Sequence, residues 1–172
     1  MITIRAFELS DAQAVADIYN EHTLAYTATM DAVRRTTEDI EGWYHKFGER
    51  ELMKVAEVEG KVVGWGIIKK YSDRVGYRTT CETAVYFKNS EIGKGYGTKM
   101  KKLIIEICKE LKYHHLVAKI WSTNTASIEY NLKLGYEMVG TQKEVGYLNG
   151  KWIDVTIMQL ILKDVKPVEN EF

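Results

Sequence analysis

The sequence holds a single proline, Pro167, only two cysteines, and no excess of either charge, with 24 Lys and Arg against 24 Asp and Glu in 172 residues. Each shortage excludes something. One proline near the end leaves no Pro-rich linker and no internal boundary, so residues 1–165 are expected to form one domain, with a loose tail over 166–172. Cys81 and Cys108 are too few for a disulfide framework and lack metal-ligand spacing, so no metal is expected and both thiols are read as reduced. Balanced charge removes the general field that draws nucleic acid or an anionic membrane. No apolar run reaches bilayer length, and Met1-Ile2-Thr3-Ile4-Arg5 is not signal-like, so a cytoplasmic address without membrane contact is expected. Repeats and low-complexity stretches are also lacking. What is there is a globular composition, 45% apolar and 28% charged.

Periodicity sets out the elements. Ile2 to Phe7 reads as a strand. Ser10 and Gln13 form a capping box ahead of a helix bearing Val15, Ile18 and Tyr19. Thr37 caps a second helix carrying Ile40, Trp43, Tyr44 and Phe47. Met53 to Val58 and Lys61 to Lys70 flank the turn Glu59-Gly60 as a hairpin, and Arg78 to Phe87 is a further strand. Met100, Leu103, Ile104, Ile107, Cys108 and Leu111 mark the strongest helix. Leu116 to Trp121 is a buried strand, Thr125 to Leu134 a helix ended by Gly135, and Glu137 to Gln142 a strand. Val145 to Leu148 and Trp152 to Leu162 close the chain as a hairpin around Asn149-Gly150. The order βααβββαβαββ predicts an α/β architecture, with a mostly antiparallel sheet and one strand–helix–strand crossover. Trp43, Trp121 and Trp152 are expected in the core, and His114-His115 in a solvated turn.

Between the strand ending at Phe87 and the strongest helix lies Ile92-Gly93-Lys94-Gly95-Tyr96-Gly97-Thr98. A strand, a glycine turn and a helix make an anion site, because unpaired N–H groups point outward and the helix dipole favours negative charge. Lys94, Lys99, Lys101 and Lys102 add positive charge suited to a ligand with several phosphates. The spacing fails a P-loop, which ends in Gly-Lys-Ser/Thr after a wide glycine gap. It also fails the dinucleotide fingerprint, which needs G-x-G-x-x-G and an acid some ~20 residues later. A plain surface loop stays open as the competing reading.

The stretch from Val85-Tyr86-Phe87 through Thr98 resembles the acyl-CoA-binding motif of the GNAT superfamily, and Asn124-x-x-Ser127 through Leu134-Gly135-Tyr136 resembles its second motif. Ile18-Tyr19-Asn20, Thr27-Ala28-Thr29-Met30-Asp31, residues 77–86 around Glu82, Ala126-Ser127-Ile128 and Gly150-Lys151-Trp152-Ile153-Asp154-Val155 are similar to the phosphinothricin/methionine-sulfoximine acetyltransferase branch. The likeness runs from about Ile2 to Leu162.

The resemblance implies a GNAT-like mixed sheet with helices on both faces and a splayed parallel strand pair. It implies acetyl-CoA as cofactor, CoA as product, and a small-molecule amine as partner. The pantetheine arm would pair with Val85 and Phe87 beside Tyr86, the pyrophosphate would rest on Ile92, Gly93, Lys94, Gly95, Tyr96, Gly97 and Thr98, and Asn124 would bond the pantetheine or an ordered water nearby. Glu82 is the implied base for the α-ammonium of a small amino acid or analogue; a strand glutamate paired with a neighbouring arginine is its alternative. Arg78 is the natural carboxylate anchor, with a plain surface strand arginine as the equal alternative, and Met30 and Tyr86 are side-chain-pocket candidates for which a core role stays equally open. Asn131 stands where the superfamily has Tyr and this branch His, and an amide can bond a leaving sulfur without protonating it. Tyr130 should face elsewhere, about ~100° around the helix. Ile92 replaces the usual Arg or Gln. Other acceptors (a peptide N-terminus, a polyamine, an aminoglycoside) and an acetyl-CoA-binding module without catalysis are the alternatives. Homodimers are common in the branch and are expected here.

Overall fold

A computed structural model describes residues 1–25 and 28–166. Thr27 of the branch-like stretch and the tail from 167 to 172 lie outside the described residues. The elements run β1 (Ile2–Ala6), α1 (Ala12–Ala25), α2 (Thr37–His45), β2 (Leu52–Val58), β3 (Lys61–Lys70), β4 (Thr80–Phe87), α3 (Tyr96–Glu110), β5 (His115–Trp121), α4 (Thr125–Lys133), β6 (Glu137–Leu148) and β7 (Lys151–Ile161). This is the expected βααβββαβαββ order. One seven-stranded sheet is ordered β1-β2-β3-β4-β5-β7-β6. Its neighbours are antiparallel except β4 and β5, which the α3 crossover makes parallel.

Helices cover both faces because the strands alternate. On β4, Cys81, Val85 and Phe87 join the core built with Met100, Ile104 and Cys108 of α3. Ala84 and Tyr86 turn to the other core, formed with Val15, Ile18 and Tyr19 of α1 and Ile40 of α2. Gly66 on β3 lets α3 approach closely: a Cβ there would lie 2.5 Å from Ile104.

Several local expectations shift. The first helix is entered through a short 3-10 turn whose reciprocal capping pair is Glu8 and Asp11, displacing Ser10 and Gln13. Asp11 wins because Arg5 on β1 grips it bidentately, at 2.7 and 2.8 Å. The second helix is capped by Thr36, one residue before Thr37. Arg78 closes a 3-10 turn over Val75–Tyr77, so β4 starts at Thr80. Residues 137–148 form a single strand with bulges rather than two segments. His115 opens β5 instead of sitting in a turn, and His114 Nδ1 meets the Val165 carbonyl, which ties the segment just after β7 to the start of β5.

The Arg5–Asp11 clamp carries a prediction. The Arg5 guanidinium holds the Asp11 carboxyl below the usual range. Stability from this group is therefore present above its ordinary unfolded pKa near ~4 and lost as pH falls through the lower folded value. Asp11→Ala removes two charge-assisted bonds and the cap, and should destabilise by about 2 kcal/mol in denaturant titration at neutral pH. The difference from the parent should shrink in acid.

Candidate active site

The parallel pairing of β4 with β5 holds only at Thr80–His115, Cys81–Leu116 and Glu82–Val117, and beyond it the two strands part. The backbone groups left open on β4 follow from alternation. The Lys88 amide bonds Val63 and the Tyr71 amide bonds the Thr80 carbonyl, so the even-numbered residues of β4 turn their backbones to β3. Thr83, Val85 and Phe87 turn theirs into the gap. On β5 the Ser122 amide bonds Asp154 across to β7, which leaves the backbones of Lys119 and Trp121 on the open side. A wedge-shaped slot with free peptide groups on both walls results.

Val85 and Phe87 are thus placed as an added extended segment would need, though the Phe87 carbonyl already meets the His22 ring at 2.9 Å. The backbone of Tyr86 turns to β3, where it pairs with Trp65. Its ring stacks on Trp65 at 4.8 Å, edge-on to Tyr19.

At the mouth of the slot stands the glycine turn. Gly93 and Gly95 have φ of 85° and 78°, a region that favours glycine, and Gly95 is the residue that caps α3. Around Gly93, Gly95 and Gly97 an added Cβ would meet nothing within 4 Å, so all three backbones are approachable. The amides of Tyr96, Gly97 and Thr98 begin α3 and have no partner inside the helix. Ile92 is 64% exposed. Two lysines of the expected cluster behave otherwise. Lys94 pairs with Glu91 at 3.0 Å, and Lys101 is buried, pointing inward beneath the sheet. Lys102 and Thr98 instead line a groove of about 510 Å³ between α3 and α4, with Tyr130 and Lys133 opposite. Tyr130 does face away from Asn131: its hydroxyl donates to the Gly97 carbonyl at 3.1 Å, and burial pushes its pKa up, keeping it a neutral donor.

Asn124 caps α4, its Oδ1 accepting the Ser127 amide at 3.1 Å. Asn131 is 3% exposed; its Nδ2 donates to the Ser127 carbonyl, while its Oδ1 has no partner among the described residues. The buried indole N–H of Trp121 likewise has none.

Glu82 projects on the face of α1 and α2. Its Oε2 meets Lys119 Nζ of β5 at 2.8 Å, and that ammonium also lies 5.8 Å from the Tyr71 ring centre. Glu82 therefore stands at the last rung before the strands part, part-exposed and ion-paired. Arg78 is half-buried, and its carbonyl accepts from Arg50 at 2.8 Å. Met30 is exposed and lies against Gly146 of β6, where a Cβ would sit 1.8 Å from its methyl group. Sequence reasoning missed the Lys119 partner, the Tyr130 contact and the inward course of Lys101. Only the last left a signal: Lys101 precedes Ile105 by one helical repeat on α3.

The family model "Acetyltransferase (GNAT) domain" matches residues 4–157. The chain is 33% identical to the L-methionine sulfoximine/L-methionine sulfone acetyltransferase of Salmonella typhimurium, over 95% of this chain and 96% of the relative. It is 31% identical to the phosphinothricin N-acetyltransferase of Alcaligenes faecalis, over 91% and 81%. Among solved structures, a Salmonella typhimurium acetyltransferase with its cofactor acetyl-CoA superposes with TM-score 0.93 at 30% identity, covering 100% of this chain and 99% of that one. A phosphinothricin acetyltransferase from Sinorhizobium meliloti in complex with acetyl-CoA gives 0.92 at 26%, covering 98% and 94%. The chain belongs to the GNAT acetyltransferase family. It is an acyltransferase, and acetyl-CoA is its cofactor.

The residues suit that cofactor. The slot offers free peptide groups to an extended amide-bearing arm, the open turn offers N–H groups to phosphates, and an orphaned buried acceptor, Asn131 Oδ1, awaits a donor. Acetyl-CoA supplies an activated acetyl group on a thioester.

Proposed function

We propose that the chain acetylates the α-amine of a small amino acid or amino-acid analogue of the methionine sulfoximine or phosphinothricin type, a detoxifying or resistance-like activity. One observation carries the reading: Glu82 stands at the closed end of the slot, on the face opposite α3, where a carboxylate can take a proton from an ammonium arriving beside a bound thioester. Relatives that act on such substrates match over nearly the full chain. Lys119 pairs with the Glu82 carboxylate at 2.8 Å, Val85 offers its N–H to the acyl oxygen, and the turn from Ile92 to Thr98 holds the pyrophosphate. Arg78 binds the amino-acid carboxylate, and Met30 and Tyr86 shape the side-chain pocket.

The molecule works as a homodimer in the cytoplasm. Support for the first part is apolar surface on the terminal hairpin, where Val145, Tyr147 and Trp152 are exposed and the last two rings lie 4.9 Å apart. Trp152, 63% exposed, is thus not the core residue its composition implied. Support for the second is a pair of unbonded thiols, Cys81 and Cys108, with sulfurs 3.7 Å apart, suited to a reducing compartment.

Purified protein with acetyl-CoA and a panel of amines should release free CoA with methionine sulfoximine or phosphinothricin. Turnover only with polyamines, peptides or aminoglycosides would replace the acceptor. Tight acetyl-CoA binding with no turnover on any amine would make the chain a binding module.

A further inference from the structure

Beneath the slot, on the α3 side, a lysine ammonium is buried at the edge of a largely apolar core. Lys101 is 3% exposed, and its Nζ donates to the Thr83 hydroxyl at 2.7 Å and lies 3.4 Å from the Thr83 carbonyl. The Thr83 hydroxyl is also 3.2 Å from the Tyr136 hydroxyl, and the ammonium lies 4.9 Å from the Tyr136 ring centre. No carboxylate pairs with Lys101 among the described residues, an expensive arrangement unless the charge has a use. Thr83 is the first residue past the last β4–β5 rung, and its carbonyl faces the slot, so the ammonium sits at the point where the strands begin to part.

We propose that Lys101 is the proton donor to the departing CoA sulfur, filling the role that Asn131 cannot. The proposal rests on the acetyltransferase reading given above. The balance is as follows. The amine, having given one proton to Glu82, forms its bond to the acetyl carbon; the carbon–sulfur bond breaks, and the sulfur leaves with the electron pair. Lys101 gives one Nζ proton to that sulfur, yielding the thiol and a neutral lysine. The new amide nitrogen sheds its surplus proton to water, and Lys101 is reloaded from solvent once the thiol has left.

The surroundings favour the transfer. Burial pushes the Lys101 ammonium down to about 8, close to a thiol's ~8.5, so the proton moves nearly without penalty. The titratable groups facing it are Cys81 of β4, Cys108 of α3 and Tyr136. The contact with Cys108, then burial, keeps Cys81 protonated, and burial does the same for Tyr136.

The deciding measurement is the ultraviolet titration of the thiol of bound CoA in the wild type and in Lys101→Met. The ammonium should make the bound thiol at least about tenfold more acidic than in the variant, a difference that needs no amine substrate. With a turned-over amine, kcat should fall about 10²-fold and the alkaline limb of the pH profile should vanish, while the KM for acetyl-CoA stays close to that of the wild type. An unmoved thiol titration overturns the proposal whatever happens to kcat. If Lys101→Met does not fold, Thr83→Val, which removes the hydroxyl anchor, should shift the titration in the same direction, and an unmoved titration there overturns it too. A wild type inert on all amines but with an acidified CoA thiol would sink the acetyltransferase reading alone.

Discussion

Replacing Gly97 with valine should abolish acetyl-CoA binding while the protein keeps its fold. Gly97 lies in the first turn of α3 with helical backbone, and an added Cβ there meets no protein atom within 4 Å. Valine is no worse than glycine in a helix by intrinsic propensity, so unfolding free energy should change by less than about 1 kcal/mol. The branched side chain would project into the space a phosphate needs to reach the amides at the start of α3. Losing two charge-assisted bonds of about 1.5–3 kcal/mol each weakens binding by roughly 10²- to 10⁴-fold, which calorimetry reads directly. Gly95 is the poorer test. Its φ of 78° would strain any β-branched residue by about 1–2 kcal/mol, so weaker binding there would mix with lost stability. Binding unaffected by Gly97→Val would remove the turn as the phosphate site.

The turn is also where sequence and structure part company instructively. The glycine spacing was enough to locate an open, N–H-rich turn between β4 and α3, because glycine at positive φ and a helix start are local properties. The lysines around it were not readable as a cluster, since charge composition says nothing of direction: Lys94 turns to Glu91 and Lys101 turns inward. Helical phase could have flagged Lys101, which lies four residues before Ile105 and seven before Cys108, both buried. Strand faces came through clearly because period-two patterning dictates them, as Cys81 and Glu82 illustrate by pointing to opposite faces of the sheet. Capping positions slipped by a residue or two because several cap-competent residues stood together, and the choice fell to a distant arginine, Arg5. Trp152 misled because hydrophobicity alone cannot tell the inner face of a terminal hairpin from an outer face free to meet a partner. The slot itself had no local signature; it exists because the β4–β5 ladder stops after three rungs, a tertiary outcome reached here through resemblance.

Glu82→Gln should lower kcat by about 10²- to 10⁴-fold and leave acetyl-CoA affinity unchanged. Glutamine keeps the shape and a hydrogen-bond acceptor but cannot take a proton from the amine. Cofactor affinity should hold because Glu82 projects to the α1 and α2 face, away from the glycine turn proposed as the phosphate site. Stability should hold as well: Lys119 is 46% exposed at its side chain, so losing its counter-charge costs no more than about 1 kcal/mol. The competing view makes Glu82 a structural strand glutamate whose only task is that ion pair. The two views separate on a second variant, Lys119→Met, which breaks the same pair but leaves the carboxylate. If the pair alone matters, both variants lose activity alike. If Glu82 is the base, Glu82→Gln loses turnover whereas Lys119→Met keeps most of it, with the carboxylate still at the last rung before the slot opens. Full activity in Glu82→Gln would remove Glu82 from the chemistry and leave proton removal to water.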